Sequence, residues 1–322
     1  MKTKKSHFLD YLAVIRPTLL FSVWTLLFLG YYRGLLNSSD ALLTNPRLFG
    51  LPVILRPELE IAKSILLFSL LMGAVYIINE LFDVSNDAIN NRINFVVRGN
   101  VDVNVLTIEI ALLTMGATTL AVCWFLEVPF YLPLMGLSLS LGLAYSIPPV
   151  RLKGRPILDL LANAIGYGTI AFSLGWISGS NFSKYTLLYS LPYLLGVGAT
   201  FINTTLPDLK GDRANNDITT GVFLGVRRAS IVSVLLLILA MLSAIWLRDF
   251  IASFAILLSL PLFVYAAVKR KTNVIRLTTK LGVLILLLIT CVFIPPYFFL
   301  FAGTTLAVKL YYFVRFGVKY PF

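Results

Sequence analysis

Two stretches of this chain place carboxylates and amides at short, regular spacing beside basic residues: INELFDVSNDAINNR (78–92) and INTTLPDLKGDRANND (202–217). In the first, Asn79, Asp83 and Asp87 recur every four residues. If one helix continues through them, they stack on a single face over about two turns. In the second, Asp208 and Asp212 repeat the spacing, with Asn203 a turn or so earlier. Carboxylates four apart on a helix repel each other, and at a membrane helix end they call for a cation or a polar cavity. An all-oxygen donor set, without Cys or His, points to a hard cation and to Mg2+ first. Mg2+ takes one or two carboxylates and completes its shell with phosphate oxygens and water. Two such clusters facing each other would hold two ions with a diphosphate between them. Arg92, Arg151, Lys153, Lys210 and Arg213 are placed to balance the remaining charge. Either cluster alone would read as a solvated turn or a cap, and Asp208 between Pro207 and Gly211 suits a loop. Two similar clusters with basic flanks favour a site.

A third stretch, YSIPPVRLKGRP (145–156), carries Tyr145 and then Arg151, Lys153 and Arg155 at alternate positions after two prolines. Pro148 and Pro149 end a helix, and an extended chain beyond them would project the three cations to one side. Arg155 suits membrane anchoring, and Tyr145 suits either the interface or the site. Asp159 and Asn163, one turn apart, serve either the site or a helix N-terminus. Arg16, just before Pro17, reads equally as anchor or ligand.

The elements that must position these residues are membrane helices. The 322 residues are 58% hydrophobic and 13% charged, where a soluble domain carries roughly 25% charged residues. Mean hydropathy is +0.86. Apolar runs at 17–33, 61–78, 105–126, 128–146, 158–177, 185–206, 229–247, 250–268 and 281–301 predict nine spanning helices, each near the ~20 residues a crossing needs. The aromatic and basic stretch 303–322 suits an interfacial tail. No short alternating segments of a barrel occur. Basic residues concentrate in the loops 79–104, 147–157, 207–228 and 269–280, which places the N-terminus and the candidate site in the cytoplasm. The net charge of +12 is spread over loops and forms no nucleic-acid-binding face. Cys123 and Cys291 lie within apolar runs, so no disulfide framework is indicated, and His7 is the single histidine. The first basic residues precede a run long enough to span, so no cleavable signal peptide is expected. The two acidic segments end the second and sixth runs, four helices apart, as an internal duplication of four-helix units would place them.

The chain resembles the UbiA superfamily of intramembrane prenyltransferases over nearly its whole length. Asn79, Asp83 and Asp87 match the first family motif; Asp208, Gly211, Asp212 and Arg213 match the second; Tyr145 to Lys153 match a Tyr-Ser-x-Pro-Pro-x-Arg-x-Lys stretch. Gly225 and Arg227 resemble the usual start of the following helix. The resemblance implies a single all-α, polytopic domain over 1–322, with about nine transmembrane helices in a ring around a central cavity. It implies Mg2+–diphosphate binding at Asn79, Asp83, Asp87, Asp208 and Asp212, with catalysis by these aspartates and Tyr145. An isoprenyl diphosphate donor would keep its tail in an apolar tunnel open to membrane lipid, and a lipophilic or aromatic acceptor would take the prenyl group. Glu80 stands where many aromatic-acceptor members have Asp, and Ala88 where related sequences often have Arg. Other readings are a terpene cyclase using the same ionising site and a cation-coupled transporter. Acidic clusters at helix ends, with no ionisable residue mid-span, argue against transport.

Overall fold

The computed structural model describes residues 6–38, 45–89, 94–318 and 320. Among them, the only strands are the two-residue pair Arg47–Leu48 and Leu51–Pro52. The remainder is built from helices: α1 (Phe8–Val14), α2 (Leu20–Ser38), α3 (Leu59–Phe82), α4 (Val84–Ile89), α5 (Val103–Phe125) and α6 (Tyr131–Ser146) come first. α7 (Leu158–Asn163) runs through a π-helical stretch, Ala164–Ala171, into α8 (Phe172–Ile177). Then follow α9 (Lys184–Thr205), α10 (Leu209–Ala214), α11 (Thr220–Trp246), α12 (Phe250–Lys269), α13 (Thr272–Phe293) and α14 (Pro295–Phe316). This is an all-α polytopic membrane architecture, the form in which a spanning chain satisfies its own backbone hydrogen bonds.

Eight described helical segments are long and apolar enough to cross a membrane: α3, α5, α7 to α8, α9 to α10, and α11 to α14. α2 and α6 traverse the same depth. α6 runs alongside α3, with the Tyr131 hydroxyl donating to Ser64 Oγ (2.8 Å) at one end and Asn79 Nδ2 donating to Ser146 Oγ (3.4 Å) at the other. α2 runs against α3: Arg16, just before it, pairs with Glu80, Trp24 Nε1 donates to Ser69 Oγ (2.7 Å), and Glu58 N donates to the Tyr31 hydroxyl (2.9 Å).

The end of the chain differs from its sequence reading. The run 281–301 is divided at Ile294 (φ −132°, ψ 77°), and Pro295 and Pro296 start a new helix. Proline at the first helical position cannot continue the preceding helix and is preorganised to begin the next. Residues 303–316 therefore belong to α14 instead of a separate tail. The described traverses become even in number, which returns the C-terminal segment to the end of the bundle that holds α1. There Arg315 and the Tyr311 hydroxyl donate to Asp10 (2.7 and 2.6 Å), and the Thr18 and Tyr320 hydroxyls share a hydrogen bond (3.0 Å).

Successive helices pack around the bundle, from α2 through α3, α6, α7 to α8, α9, α11, α12 and α13, and α13 closes back onto α2. In the half away from α1, α2 presses closely against α8. A Cβ at Gly30 would stand 1.9 Å from the Phe172 carbonyl oxygen, and one at Gly175 1.9 Å from that of Leu27. Such backbone approach needs small residues, the usual device of membrane helix contacts. Open space is left in the other half, beside α1.

Candidate active site

Both acidic segments fold into the same junction. α3 stops at Phe82, Asp83 takes φ −102°, ψ 5°, and the six-residue α4 follows with Asp87. After α9 and the 3-10 turn Leu206–Asp208, Asp208 takes φ −104°, ψ 1°, and the six-residue α10 follows with Asp212. These dihedrals lie in the sparsely populated bridge region, where many active-site residues sit. The single helix expected through Asn79, Asp83 and Asp87 is thus broken at Asp83, although Asp87 N still donates to the Asp83 carbonyl (2.8 Å). The break turns α4 across the bundle to pack on α10. Asn86 Nδ2 then donates to Asp212 Oδ1 at 2.9 Å, joining segments 126 residues apart.

Between the junctions lies a cavity of about 710 Å3. Asn79, Asp83, Asp87, Asp208, Asp212 and Tyr145 all line it. So does Asn203, whose buried Oδ1 accepts no hydrogen bond. The donors facing the space are carboxylate and amide oxygens, the set a hard divalent ion takes. Among the described residues no three acidic, His or Cys side chains form a protein-only metal cage. The carboxylate and amide oxygens fit an Mg2+ ion whose remaining positions phosphate oxygens and water would fill.

The cations separate into two groups. Lys153 is buried in the cavity wall and donates to Asp83. Arg151 does not line the cavity: it donates to both carboxylate oxygens of Asp217, at 3.0 and 2.9 Å. The chain here is a 3-10 turn, Leu152–Gly154, following Arg151 at φ 37°. Alternate residues consequently do not share a side, as an extended chain would have required. Lys210 and Arg213 are exposed and also lie outside the lining. Arg92 falls outside the described residues.

Three further cations line the cavity: Arg16, which the sequence left as anchor or ligand, and Arg276 and Lys280, which it did not assign to the site. Arg16 bonds Glu80 and stands 3.6 Å from Asp87. Glu80 also accepts from Phe95 N (2.7 Å), so it ties the segment after α4 to α3. Arg276 and Lys280 are one turn apart on α13. Their spacing was visible in the sequence, but cations at a helix start read first as anchors.

Asp159 is wholly buried and absent from the lining; it accepts from the Thr220 backbone N (2.7 Å) and hydroxyl, locking α7 to the start of α11. Thr219, the N-cap of α11, donates to Asp212 Oδ2 (3.1 Å). Asn163 reaches the cavity, as do Tyr76 and Tyr167, whose hydroxyls are 2.9 Å apart. Tyr167 belongs to the π-helical stretch, a geometry often found at functional sites. A second cavity of about 250 Å3 shares Leu19, Asn163, Tyr167, Phe201 and Thr204 with the first and is otherwise mainly apolar.

Residues 54–276 match the UbiA prenyltransferase family. The chain belongs to that family. It is 28% identical over 211 residues to a probable homogentisate phytyltransferase 2, chloroplastic, of Oryza sativa subsp. japonica, covering 61% of this chain and 51% of that protein. It is 27% identical over 252 residues to a 2-acylphloroglucinol 4-prenyltransferase of Humulus lupulus, covering 72% and 58%. The chain spans about half the length of the curated relatives it matches. Among solved structures, a UbiA homolog from Archaeoglobus fulgidus bound to GPP and Mg2+ aligns with a TM-score of 0.61 at 19% identity, over 88% of this chain and 99% of that one. An apo UbiA homolog from Aeropyrum pernix K1 aligns at 0.60 and 18% identity, over 83% and 94%. The UbiA fold accounts for the helical ring with its cavity at one end.

Proposed function

We propose that this protein is a Mg2+-dependent intramembrane prenyltransferase, moving a prenyl group from an isoprenyl diphosphate to a lipophilic or aromatic acceptor. The observation that carries this reading is the meeting of the two acidic junctions around one cavity, linked by Asn86 and Asp212. Family membership and relatives named as prenyltransferases support it. Asn79, Asp83, Asp87, Asp208 and Asp212 would hold the metal, with Asn203 Oδ1 a free acceptor for a bound water. Bound there, Mg2+ would neutralise charge on the departing diphosphate.

Lys153, Arg16, Arg276 and Lys280 supply the protein's own positive charge to the diphosphate, fixed in place before reaction. As the allylic carbon–oxygen bond breaks, its electron pair leaves with the diphosphate and the prenyl group becomes a cation. The ring faces of Tyr76, Tyr145 and Tyr167 suit such a charge, and the apolar cavity wall keeps water from it. The acceptor then bonds the cationic carbon and loses a proton. The basic loops favour a cytoplasmic site, with both described chain ends on that side. The matching junctions support an internal duplication within one domain.

The reading is tested with purified protein in detergent, given geranyl, farnesyl or geranylgeranyl diphosphate, a membrane lipid extract, and Mg2+ or EDTA. Expected is Mg2+-dependent diphosphate release with a prenylated acceptor among the products. Release with only cyclic or hydroxylated prenyl products would contradict transfer, and no release with any donor would contradict the ionising site.

A further inference from the structure

We propose that Gly196 and Tyr193 on α9 set the longest isoprenyl tail this protein accepts. The inference rests on the prenyltransferase reading and adds to it the residues that measure the donor. The second cavity continues from the first through Phe201 and Thr204. Along α9 its wall is formed by Tyr193, Gly196, Thr200 and Thr204, residues three or four apart on one helix face. Thr204 lies where the two spaces join, and Tyr193 lies near the far end of the shared wall. At 1.5 Å per residue, Asp208 and Tyr193 are ~22 Å apart along the helix direction. An extended isoprene unit, four bonds of about 1.5 Å each, covers roughly 5 Å. The distance is that of a tail of about four units.

The far end is fixed. The Tyr193 hydroxyl donates to Asp249 Oδ2 at 2.8 Å, and the Tyr193 ring stacks on Phe172 with centroids 5.0 Å apart. Asp249 is itself buried, accepts from Ala252 N (3.0 Å), and faces Arg33 Nε at 3.8 Å. Swinging Tyr193 aside would take its hydroxyl hydrogen bond from a buried carboxylate oxygen, a costly change. The tunnel floor is therefore a rigid ring.

Gly196 stands one turn nearer the active site. A Cβ there meets no heavy atom within 4 Å. Gly168, by contrast, is required by packing, since its Cβ would fall 2.4 Å from Leu194 Cα. Glycine inside a helix weakens it through lost conformational entropy, and no close helix contact explains Gly196. What its missing side chain leaves is tunnel space, at the level the third and fourth isoprene units would reach.

The test is a graded series, Gly196→Ala, Gly196→Leu and Gly196→Phe, assayed with geranyl and geranylgeranyl diphosphates in the presence of Mg2+. The readout is the ratio of kcat/KM for the longer donor over the shorter. We expect the ratio to fall with side-chain size, by at least about tenfold in Gly196→Phe, since even a single methylene of misfit is worth that much in an apolar pocket. An unchanged ratio across a series whose wild type turns over both donors would overturn this proposal alone. Equal loss of both donors in the Leu and Phe variants would also overturn it. A wild-type protein that ionises neither donor would overturn the prenyltransferase reading and this proposal with it.

Discussion

The acidic side chains divide into those that face the cavity and those that brace its walls, and only contact, not residue type, separates them. Asp159, read in the sequence as serving either the site or a helix N-terminus, spends both oxygens on Thr220. Asp159→Ala would leave buried donors unpaired and is expected to cost about 1–3 kcal/mol, read as a lower melting temperature in detergent. The basic residues divide in the same way. Lys153→Met is expected to weaken kcat/KM for the prenyl diphosphate by about 10- to 100-fold, the worth of a charged hydrogen bond of ~1.5–3 kcal/mol. Arg151→Met, which frees Asp217, should lower thermal stability and change kcat/KM far less. A comparison of the two variants by steady-state kinetics and thermal unfolding checks both expectations. The aspartate spacing was legible because carboxylates near lipid are costly and need a reason. The orientation of Arg151 was not, because the turn at 152–154 has no sequence signal that distinguishes it from an extended segment.

Elements were legible where hydropathy alone decides them and illegible where a helix breaks. The long apolar runs fixed most of the spanning helices. The break at Asp83 is marked by neither Gly nor Pro, and it arises where α4 finds a partner in α10. Pro295 and Pro296 did mark a break, but they lie inside an otherwise continuous apolar run. The glycines of α2 and α8 carry an energetic statement of their own. With a Cβ at Gly175 meeting the Leu27 carbonyl at 1.9 Å, Gly175→Val must force the helices apart. Overpacking of this kind costs about 1–3 kcal/mol or more. Loss of monodisperse protein on size exclusion, or a marked drop in melting temperature, is the expected result, while Gly116→Ala, whose Cβ meets nothing within 4 Å, should behave as wild type.

At the scale of the whole molecule, an even number of described traverses brings α1 and the end of α14 together beside the cavity. Reporter tags at the two termini are therefore expected on the same side of the membrane; tags on opposite sides would support the odd count read from hydropathy. The clasp between these ends has a predictable acid response. Burial raises the Asp10 carboxyl, but hydrogen bonds from Arg315, Tyr311 and His7 outweigh it and hold the group below its ordinary value. A depressed carboxylate contributes stability that is full above the ordinary Asp value of about 4 and is lost as pH falls through the lowered one. Asp10→Asn should thus lower the melting temperature at neutral pH, and the difference from wild type should shrink below about pH 4. In the proposed function, two junctions far apart in the chain form one metal–diphosphate site. The most direct test is Mg2+-dependent binding of geranylgeranyl diphosphate, measured calorimetrically for wild type, Asp83→Ala and Asp212→Ala. Binding by the wild type, lost with EDTA and lost in each variant alone, is the expected result. Wild-type affinity retained in either variant, with the protein still folded, would contradict a shared site.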